Sequence, residues 1–529
     1  MSTIPSNRPT GSADSPIRPV AVIDIGATNA RMAIAEIDGQ SNQVRLLETL
    51  SQPVSLGKDT FGLQRIRRTS IEQCVKVLAS YRKLMKEYGI TRPEQMRIVA
   101  TSAVREATNR LAFIDRIFIA TGLVVEPLDE AEVNRVTYMG IQPLIQSSPA
   151  LVASKTVVVE VGSGSTEILV VRGGNVLLSN TYRLGSLRML EQLDKFNTPQ
   201  GKQRGILETQ IQRFVNIIRD HIDSDTRLEM VAIGGDIRFA AANILSEEEI
   251  KGLARLPRES LSAFSSKLSK MNEDEIVQQF GLTFQDAETI GPAVLSYLLL
   301  AKRLGCETLH VAPTNLRDGL LNDLAMHATW TAEFRNQIIR SAVNLGRKFS
   351  FDEKHARHIA MLARKLFADL QAEHQLDQRM ELILYLAALL FEIGQYVNIR
   401  SNHKHAMYLI RNSELFGLSR RDLLLVSLVA RYHRRSSPQP EHEGYATLDR
   451  IDRVAVSKLA AILRIAIALD ETRAQRISKI KCEKDGDRFV IHTTGVEELS
   501  LEQLTLRQTG NLFEEVFGMN VMLRTSRSK

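Results

Sequence analysis

Hydrophobic residues follow three different patterns along the chain. From residue 20 to about residue 325, short β-branched runs typical of buried strands alternate with amphipathic stretches of helical spacing. From Thr329 the pattern is almost continuously helical, with apolar residues at helical spacing in the segments 349–372, 380–393, 404–415, 420–432 and 454–469. Residues 477–524 return to alternating strands and a helix. The chain is therefore predicted to be α/β first, then all-helical, with a small α/β segment last.

The most regular strand pattern is Thr156–Arg172, which reads TVVVEVGSGSTEILVVR. Two β-branched runs flank a glycine turn, so a hairpin is predicted. The glycines would let a phosphate approach backbone N–H groups, and Ser165 and Thr166 add hydroxyl donors. Glu160 and Glu167 flank the turn and would repel an anion unless a hard cation such as Mg²⁺ lies between them. The alternative is an ordinary hairpin whose acids face water, because short Gly/Ser motifs match by chance.

Two further stretches repeat this strand-to-glycine pattern. In VAVIDIGATNAR, Asp24 and Gly26 have the same spacing as Glu160 and Gly162, and a weaker copy, MVAIGGD, ends at Asp236. Three such turns predict two similar α/β lobes that face each other across a phosphate cleft. The two common nucleotide fingerprints do not fit, since the chain has no G-x-x-x-x-G-K-[ST] and GSGSTE lacks a third glycine and a following helix.

Composition limits the choice of class and compartment. The 529 residues are 44% hydrophobic, enough for three or four domains, and the net charge of +7 suits a polyanionic partner. Three dispersed cysteines favour a reducing compartment and disfavour structural zinc. The apolar runs are too short to cross a bilayer, so no membrane association is expected. Residues 1–18 are polar and proline-containing, typical of a disordered tail and not of a secretion signal, so a cytoplasmic location is expected.

Several co-linear motifs carry a family resemblance. The chain resembles the actin-like phosphotransferases and, more closely, the exopolyphosphatase/guanosine pentaphosphatase family, over roughly residues 19–520. In chain order the shared motifs are IDIGATNAR, ATSAVREATNR, EVGSGSTE, LGS, NLRDGLL, NHKHAMYLIRNSELFGLSRRDLLLVSLVARYHRR and LRIAIALDETR. The resemblance implies two actin-like (ribonuclease H-like) α/β lobes, an all-helical HD-like domain and a small C-terminal α/β appendage. The implied boundaries are residues 19–140, 141–327, 328–476 and 477–529.

The resemblance also implies a phosphoanhydride hydrolase in which water attacks the terminal phosphorus in line. Mg²⁺, or another divalent cation, would be held near Asp24, Glu160 and Glu167. The implied phosphate-binding residues lie in or beside the predicted turns: Gly26, Thr28, Asn29, Arg31, Arg105, Gly162, Ser163, Gly164, Ser165, Thr166, Gly234 and Gly235. Inorganic polyphosphate is the expected substrate, guanosine pentaphosphate is its close competitor, and a homodimer is expected.

The chain departs from the family at the expected general base. The family carries a glutamate two residues before an arginine; aligned on Arg135, that position is Val133. The nearby acids are Asp129, Glu130 and Glu132. Glu132 is expected to act as the base if a local bulge aims it at the water, with Glu130 as the second choice. The alternative is that efficient hydrolysis has been lost. A smaller departure is Glu160, where the family has aspartate, while Glu167 matches the family's second catalytic acid.

The helical region carries a further departure and a dense basic stretch. His355 and Asp470 match the outer ligands of the metal-dependent His-Asp phosphohydrolases, but the central pair reads Phe391-Glu392, so this domain is expected to be structural and substrate-guiding. Between residues 400 and 435 lie eleven Arg, Lys and His residues, of which Lys404, Arg431, Arg434 and Arg435 are expected to line a polyphosphate channel.

Other readings of these features stay open. The basic stretch could be a solvated helical surface, whereas nucleic-acid binding is disfavoured because basic and aromatic residues are not interleaved in a recognised module. The whole chain could be a non-hydrolysing protein that binds polyphosphate or an alarmone. An ATP-dependent kinase is disfavoured, since no sugar- or acid-binding aspartate motif follows the first lobe.

Overall fold

The computed structural model describes residues 17–195, 200–220, 228–326, 332–434, 436–496 and 498–525. The chain divides into two compact units, Met1–Trp330 and Thr331–Lys529. Of the predicted N-terminal tail, only the last two residues lie within the described ranges, and both belong to the first strand. No helix in those ranges combines the length and the hydropathy of a membrane-spanning segment.

A five-stranded sheet forms the first lobe. Its strands are β1 (Ile17–Ile25), β2 (Asn29–Asp38), β3 (Val44–Pro53), β4 (Met96–Ala100) and β5 (Val125–Pro127). The strand order is β3-β2-β1-β4-β5, with β1 antiparallel to β2 and parallel to β4. Residues 20–25 are all buried, which places the apolar end of β1 at the centre of the sheet.

Helices cover one face of this sheet and connect its strands. They are α1 (Leu56–Leu63), α2 (Arg68–Glu87), α3 (Ser102–Arg105) and α4 (Arg110–Thr121), with a 3₁₀ turn at Pro93–Gln95. Apolar residues of α2 and α4 pack with those of β1, β2 and β4 in one core.

The second lobe contains a six-stranded sheet. Its strands are β6 (Lys155–Val161), β7 (Thr166–Arg172), β8 (Asn175–Tyr182), β9 (Leu228–Ile233), β10 (Ala254–Pro257) and β11 (Thr308–Val311). The helices between residues 130 and 325 are α5 (Glu130–Ser147), α6 (Pro149–Ala153), α7 (Ser186–Lys195), α8 (Gln200–Asp220), α9 (Gly235–Ile244), α10 (Arg258–Leu268), α11 (Glu273–Phe280), α12 (Phe284–Leu304) and α13 (Leu316–Ala325). The strand order is β10-β11-β9-β6-β7-β8.

The two sheets repeat one topology. In each, three sequential antiparallel strands are followed by a parallel strand that pairs with the first of them. A helix then starts directly after that parallel strand, at Ser102 in the first lobe and at Gly235 in the second. This repeat confirms the predicted pair of similar α/β lobes. The predicted boundary at residue 140 falls inside α5.

Helices α5 and α13 cross on the other face of the first sheet. Val133 and Val136 of α5 and Leu320 of α13 share a core with β1, β2 and β4. The backbones approach so closely that a Cβ on Gly319 would lie 2.1 Å from the Val136 carbonyl oxygen. Only glycine fits this crossing, so α5 is fixed in rotation as well as in position.

The second unit is mainly helical. Its helices are α14 (Ala332–Lys348), α15 (Glu353–Asp369), α16 (Gln371–His374), α17 (Gln378–Leu390), α18 (Asn402–Arg411), α19 (Arg420–Arg431), α20 (Arg450–Ala468), α21 (Ser500–Thr509) and α22 (Asn511–Phe517), with 3₁₀ turns at Ile393–Tyr396 and Tyr445–Thr447. Strands β12 (Ile480–Asp485), β13 (Arg488–Thr493) and β14 (Asn520–Thr525) form a small sheet in the order β12-β13-β14. Helix α17 is the central helix, packed against α15, α19 and α20. The predicted helical domain with an α/β appendage is confirmed.

Candidate active site

The β1–β2 and β6–β7 turns have the same construction. The Gly26 amide donates to the Asn29 carbonyl at 2.9 Å, and the Gly162 amide donates to the Ser165 carbonyl at 2.9 Å. Each glycine follows an acid by two residues, so the side chains of Asp24 and the second-lobe acid reach the cleft from equivalent strand ends. The repeat that the sequence indicated is therefore a repeat in three dimensions.

Four backbone N–H groups in these turns have no acceptor within the described part of the chain. They belong to Ala27, Thr28, Ser163 and Gly164. Successive amides of this kind form an anion-binding concavity. The turn carrying Gly164 is also tightly packed, since a Cβ there would lie 2.2 Å from Ser102 Oγ. A side chain at this position would displace the turn, which explains the glycine.

Both turns open into one narrow cavity of about 110 Å³. Its lining residues come from both lobes: Asp24, Gly26, Ala27, Thr28, Arg31, Thr101, Ser102, Arg105, Val133, Glu160, Gly162, Ser163, Gly164, Ser165, Glu167 and Leu316. Eleven of the site residues predicted from the sequence therefore lie together: Asp24, Gly26, Thr28, Arg31, Arg105, Glu160, Gly162, Ser163, Gly164, Ser165 and Glu167.

Four predicted phosphate-binding residues do not line the cavity. Asn29 is buried and its amide donates to Thr28 Oγ1 at 3.2 Å. Thr166 donates its hydroxyl to the Leu184 carbonyl, so it fixes the turn from behind. Gly234 is the N-cap of α9 and Gly235 is its first residue, and neither is among the described residues that line the cavity. Their predicted contacts with phosphate stay predictions, because none of the four is among the residues that line the cavity.

Three carboxylates line the cleft, of which Asp24 and Glu167 are buried and Glu160 is partly buried. Burial raises the pKa of Asp24, although Arg317 and Arg31 act against this shift. Burial also raises the pKa of Glu160, and burial together with the adjacent Glu160 raises the pKa of Glu167 to about 7. Ser165 donates its hydroxyl to Glu167 Oε1 at 2.5 Å. Crowding of carboxylates in a buried cleft favours binding of a proton or a cation.

Four arginines surround these acids, and two of them were not identified from the sequence. Arg31 and Arg105 line the cavity, and Arg105 Nη1 donates to the Leu128 carbonyl at 3.0 Å. Arg317 lies 3.7 Å from Asp24 Oδ2. Arg238 affects the pKa of Glu160 and is held by the Thr314 carbonyl at 2.9 Å. The four cations offset the acids and make the cleft suitable for an anion.

A signal for the missed arginines was present in the sequence. Arg105 is the fourth residue of α3 and Arg238 is the fourth residue of α9, and both helices start directly after the parallel strand of their lobe. ATSAVR and IGGDIR are therefore equivalent segments. Arg317 lies in NLRDGLL, a stretch in the family resemblance to which no role was assigned.

Glu132 does not reach the cavity. Its carboxylate accepts hydrogen bonds from Arg97 at 3.0 Å and from Arg135 at 2.6 Å, and both arginines also pair with Asp323 of α13. Although burial acts in the opposite direction, these two arginines lower the pKa of Glu132 to about 2. Val133, in contrast, lines the cavity.

The expectation that Glu132 faces the attacking water is therefore corrected. Helix α5 is regular from Glu130 onward with Asp129 as its N-cap, so no bulge rotates the next acid into the cleft. Successive residues on a helix point about 100° apart, and the network holds α5 in its rotation. Glu130, the second choice, is 37% exposed, lies 3.9 Å from Arg105, and is not among the lining residues.

Comparison with known families identifies the chain. A model described as the Ppx/GppA phosphatase family matches residues 33–328, and one described as Ppx/GppA phosphatase, domain III, matches residues 339–510. The chain belongs to the Ppx/GppA phosphatase family. It is accordingly a phosphoanhydride hydrolase.

Individual relatives are distant. The guanosine-5'-triphosphate,3'-diphosphate pyrophosphatase of Photobacterium profundum is 23% identical over 462 residues, which cover 85% of this chain and 87% of the relative. An exopolyphosphatase from Cytophaga hutchinsonii superposes with a TM-score of 0.52 at 18% identity, covering 59% of this chain and 98% of that one. An exopolyphosphatase-like protein gives a TM-score of 0.50 at 20% identity, covering 59% and 99%. The two structures share the fold of the part of this chain that they cover.

The cleft of this Ppx/GppA phosphatase suits a weakly anchored divalent cation. Asp24 Oδ1 is buried and accepts no hydrogen bond from a described residue, although an anionic oxygen normally has a partner. The described residues contain no group of three or more His, Cys, Asp or Glu side chains arranged to hold a metal ion. Mg²⁺ is usually held by one or two carboxylates with waters and substrate phosphates, and Asp24 with Glu160 provides that kind of donor set.

In the helical unit, the position expected from the resemblance to the His-Asp phosphohydrolases to be a metal site is filled by an aromatic side chain. His355 Nδ1 lies 2.9 Å from Asp470 Oδ2, so the two outer positions still meet. Phe391 is 2% exposed, and its ring lies 6.1 Å from that of His355 and 5.1 Å from that of His433. An aromatic ring supplies no metal ligand. The likeness to the His-Asp phosphohydrolases stays a prediction.

The basic stretch carries less free charge than its residue count suggests. Arg411 pairs with Glu443, and Arg421 pairs with Asp452, so part of its charge is offset. Lys404 is exposed, Arg431 Nη1 approaches Met407 Sδ at 3.3 Å, and Arg434 donates to the Arg400 carbonyl at 2.9 Å. Arg435 lies outside the described residues. The predicted polyphosphate channel stays a prediction that rests on Lys404, Arg431 and Arg434.

Proposed function

We propose that this chain releases orthophosphate from the ends of inorganic polyphosphate by direct attack of water. The observation that carries the proposal is the pair of turns that line one cavity, with four amides lacking an acceptor in the described chain and with Arg31 and Arg105 beside them. The cavity of about 110 Å³ has room for a terminal phosphate group but little for a nucleoside. The site therefore recognises phosphate oxygens and leaves the rest of the substrate outside.

The chain's own groups provide most of the binding. We expect the amides of Ala27 and Gly164, which have no acceptor in the described chain, to contact the terminal phosphate from the two lobes. Ser165 donates its hydroxyl to Glu167 and so orients that carboxylate. Arg31 and Arg105 offset the charge that spreads over the equatorial oxygens in a loose transition state. Because these groups are fixed before the substrate binds, little reorganisation is needed during the reaction.

Asp24 and Glu160 would hold the divalent cation, since they are neighbouring acids that line the cleft and Asp24 has an unused oxygen. A bound Mg²⁺ would neutralise charge on the phosphate oxygens and stabilise the leaving group. The longer side chain of Glu160, compared with the family's aspartate, can reach the same cation directly or through water.

We assign proton transfer to Glu167 in place of Glu132. Glu167 lines the cavity, and burial beside Glu160 raises its pKa to about 7, a value suited to a general base near neutral pH. Glu132 is held by two arginines and its pKa is lowered to about 2, which makes its carboxylate a weak proton acceptor. Glu167 would then act as the general base, which the apolar side chain of Val133 cannot do.

Guanosine pentaphosphate is the second candidate substrate. The observation that favours it is the name of the Photobacterium profundum relative, which aligns with 85% of this chain. Hydrolysis of its 5'-terminal phosphate would use the same amides and arginines, because only the terminal group enters the narrow cavity. The two substrates differ in what lies outside the cavity.

The test is phosphate release from long polyphosphate, guanosine pentaphosphate and ATP, with Mg²⁺ and with excess chelator. We expect Mg²⁺-dependent release, with kcat/KM highest for polyphosphate. A higher kcat/KM for guanosine pentaphosphate than for polyphosphate would show that guanosine pentaphosphate is the preferred substrate. Binding of polyphosphate without release at any divalent cation would instead support a non-hydrolysing protein.

A further inference from the structure

A second cavity lies in the helical unit, between α20, the segment before it and α22. Its volume is about 480 Å³, more than four times that of the catalytic cleft. We propose that this cavity is a binding site for a nucleoside diphosphate or a closely similar phosphorylated small molecule. The proposal is independent of the polyphosphate assignment, because it uses none of the cleft residues.

The first argument is uncompensated positive charge. Three cations line the cavity, Arg450, Arg453 and Lys458, and no Asp or Glu of the described chain is among the lining residues. The two nearest acids in sequence, Asp449 and Asp452, both pair with Arg421. Three clustered cations without a carboxylate repel one another, and an anion carrying two or more charges would relieve that repulsion.

The second argument is a donor without an acceptor. Arg453 Nη2 donates to the Ala446 carbonyl at 2.8 Å, which holds the guanidinium in place. Its Nε is buried and has no hydrogen-bond partner among the described residues. Lys458 Nζ is bonded to a neutral group, the His374 carbonyl at 2.9 Å, and has two further donors. A buried unpaired donor such as Arg453 Nε is costly, so it indicates a missing acceptor such as a phosphate oxygen, and Lys458 Nζ can donate to the same anion.

The third argument is the mixed character of the remaining wall. Leu448, Val454 and Val516 form an apolar side, and Val454 is 46% exposed. Tyr445 and Ser457 add hydroxyl groups, with the two oxygens 3.3 Å apart. An apolar wall with a few polar groups opposite a cationic cluster suits a flat organic body joined to phosphates.

Size selects among the possible anions. Pockets for small organic ligands usually have volumes of roughly 300–1,000 Å³, and a cavity of about 480 Å³ falls in that range. Inorganic phosphate or pyrophosphate would occupy only the cationic end and leave the apolar wall in contact with water. A nucleoside diphosphate uses both ends, which is why this class is favoured.

The experiment is isothermal titration calorimetry on the full chain with ADP, GDP and UDP, each compared with pyrophosphate and with the corresponding nucleoside. The test variant carries Arg450→Gln and Lys458→Gln, and Arg453 is left intact because it also supports the local backbone. The matched control carries Lys348→Gln and Lys354→Gln, two exposed cations elsewhere in the helical unit. Thermal unfolding of both variants checks that the unit stays folded.

We expect at least one nucleoside diphosphate to bind with a roughly micromolar dissociation constant. The Arg450→Gln/Lys458→Gln variant should weaken that binding by roughly tenfold or more, while the control should match the wild type. Pyrophosphate and the nucleoside should each bind more weakly than the diphosphate. Equal binding by the two variants, equal binding of pyrophosphate, or no binding of any nucleoside diphosphate would overturn the proposal.

A second variant keeps the test independent of charge. Val454→Trp would place an indole in the cavity from its exposed wall, without removing a cation. If the cavity is the site, this variant should also lose nucleoside diphosphate binding. Retained binding would place the ligand elsewhere on the chain and would contradict the proposal.

Discussion

The candidate cleft and the buried His355–Asp470 pair each have an apolar side chain, Val133 or Phe391, where the resemblance drawn from the sequence implies a polar one, with different results. In the cleft, Val133 stands where the resemblance implies an acid, yet three carboxylates and two arginines still line the cavity. In the helical unit, Phe391 fills the space beside the remaining pair. An open polar site can lose one group and keep others facing the substrate, whereas a buried aromatic ring removes both the ligand and the space.

The first test of this comparison concerns the ion-pair network that holds α5, in which Glu132 and Asp323 pair with Arg97 and Arg135. Glu132→Gln should destabilise the first unit by roughly 3–5 kcal/mol, because Arg97 and Arg135 would lose a buried counter-charge. The measurement is urea-induced unfolding. Turnover per folded molecule should stay near the wild-type value, since the side chain does not line the cavity.

Glu130→Gln is the matched control for this change. It removes the same group two residues earlier, at a position that is 37% exposed, and should change stability by less than about 1 kcal/mol. An unfolding midpoint for Glu132→Gln that equals that of the control would show that the buried network does not hold the helix.

Substitutions of Phe391 in the helical unit should change the stability of that unit and leave turnover unchanged. Phe391→Ala would remove a ring that is 2% exposed and should destabilise this unit by roughly 3 kcal/mol through the cavity left behind. Phe391→Leu, which keeps much of the volume, should cost less. Thermal unfolding measures both. A large loss of turnover in a variant that remains folded would contradict a purely structural role for the ring.

Protonation of Glu167 should weaken Mg²⁺ binding in the cleft, and this effect should be smaller than the changes in stability described above. The pKa of Glu167 is raised to about 7, so the group is protonated below that pH and anionic above it. Although Asp24 and Glu160 would hold the cation, the neighbouring Glu167 attracts it only in its anionic form, so Mg²⁺ affinity should fall severalfold, up to roughly tenfold, from pH 8 to pH 6. Calorimetry in buffers of different ionisation enthalpy measures this and the proton released. Glu167→Gln should reduce the pH dependence and leave the part that comes from Asp24 and Glu160, whose pKa values are also raised. A pH-independent wild-type affinity would contradict the argument.

The basic stretch should produce the smallest effect. Arg431→Gln combined with Arg434→Gln should raise KM for long polyphosphate by roughly threefold, with little change for very short chains, and the difference should shrink as salt rises. The control combines Arg411→Gln with Arg357→Gln, two arginines that already pair with carboxylates. An equal increase in KM for short and long chains would show that the residues act through folding or through the cleft.

Local patterns were sufficient to predict much of the fold and the cleft. The β-branched runs on either side of Gly162 specify a buried hairpin, and the matching run before Gly26 indicates the repeat of that hairpin. Such signals depend only on neighbouring residues. The cleft acids and turn glycines could therefore be named before their positions were known.

Features set by distant partners could not be predicted in this way. The side chain of Glu132 is directed by Arg97 and by Asp323 on α13, and a one-residue offset on a regular helix is a turn of about 100° that sequence spacing alone cannot resolve. Likewise, Arg421 is paired with Asp452, 31 residues later in the chain, so counting basic residues overestimates the free positive charge.

The central claim is that Glu167, and not Glu132, accepts the proton of the attacking water. The most direct measurement is single-turnover phosphate release from long polyphosphate at saturating Mg²⁺ and pH 8, comparing Glu167→Gln with Glu132→Gln at a temperature where both are folded. We expect Glu167→Gln to slow release by roughly 10²–10⁴-fold, the usual contribution of a general base, and Glu132→Gln to remain close to the wild type. Near-normal release by Glu167→Gln together with a large loss in Glu132→Gln would contradict the account.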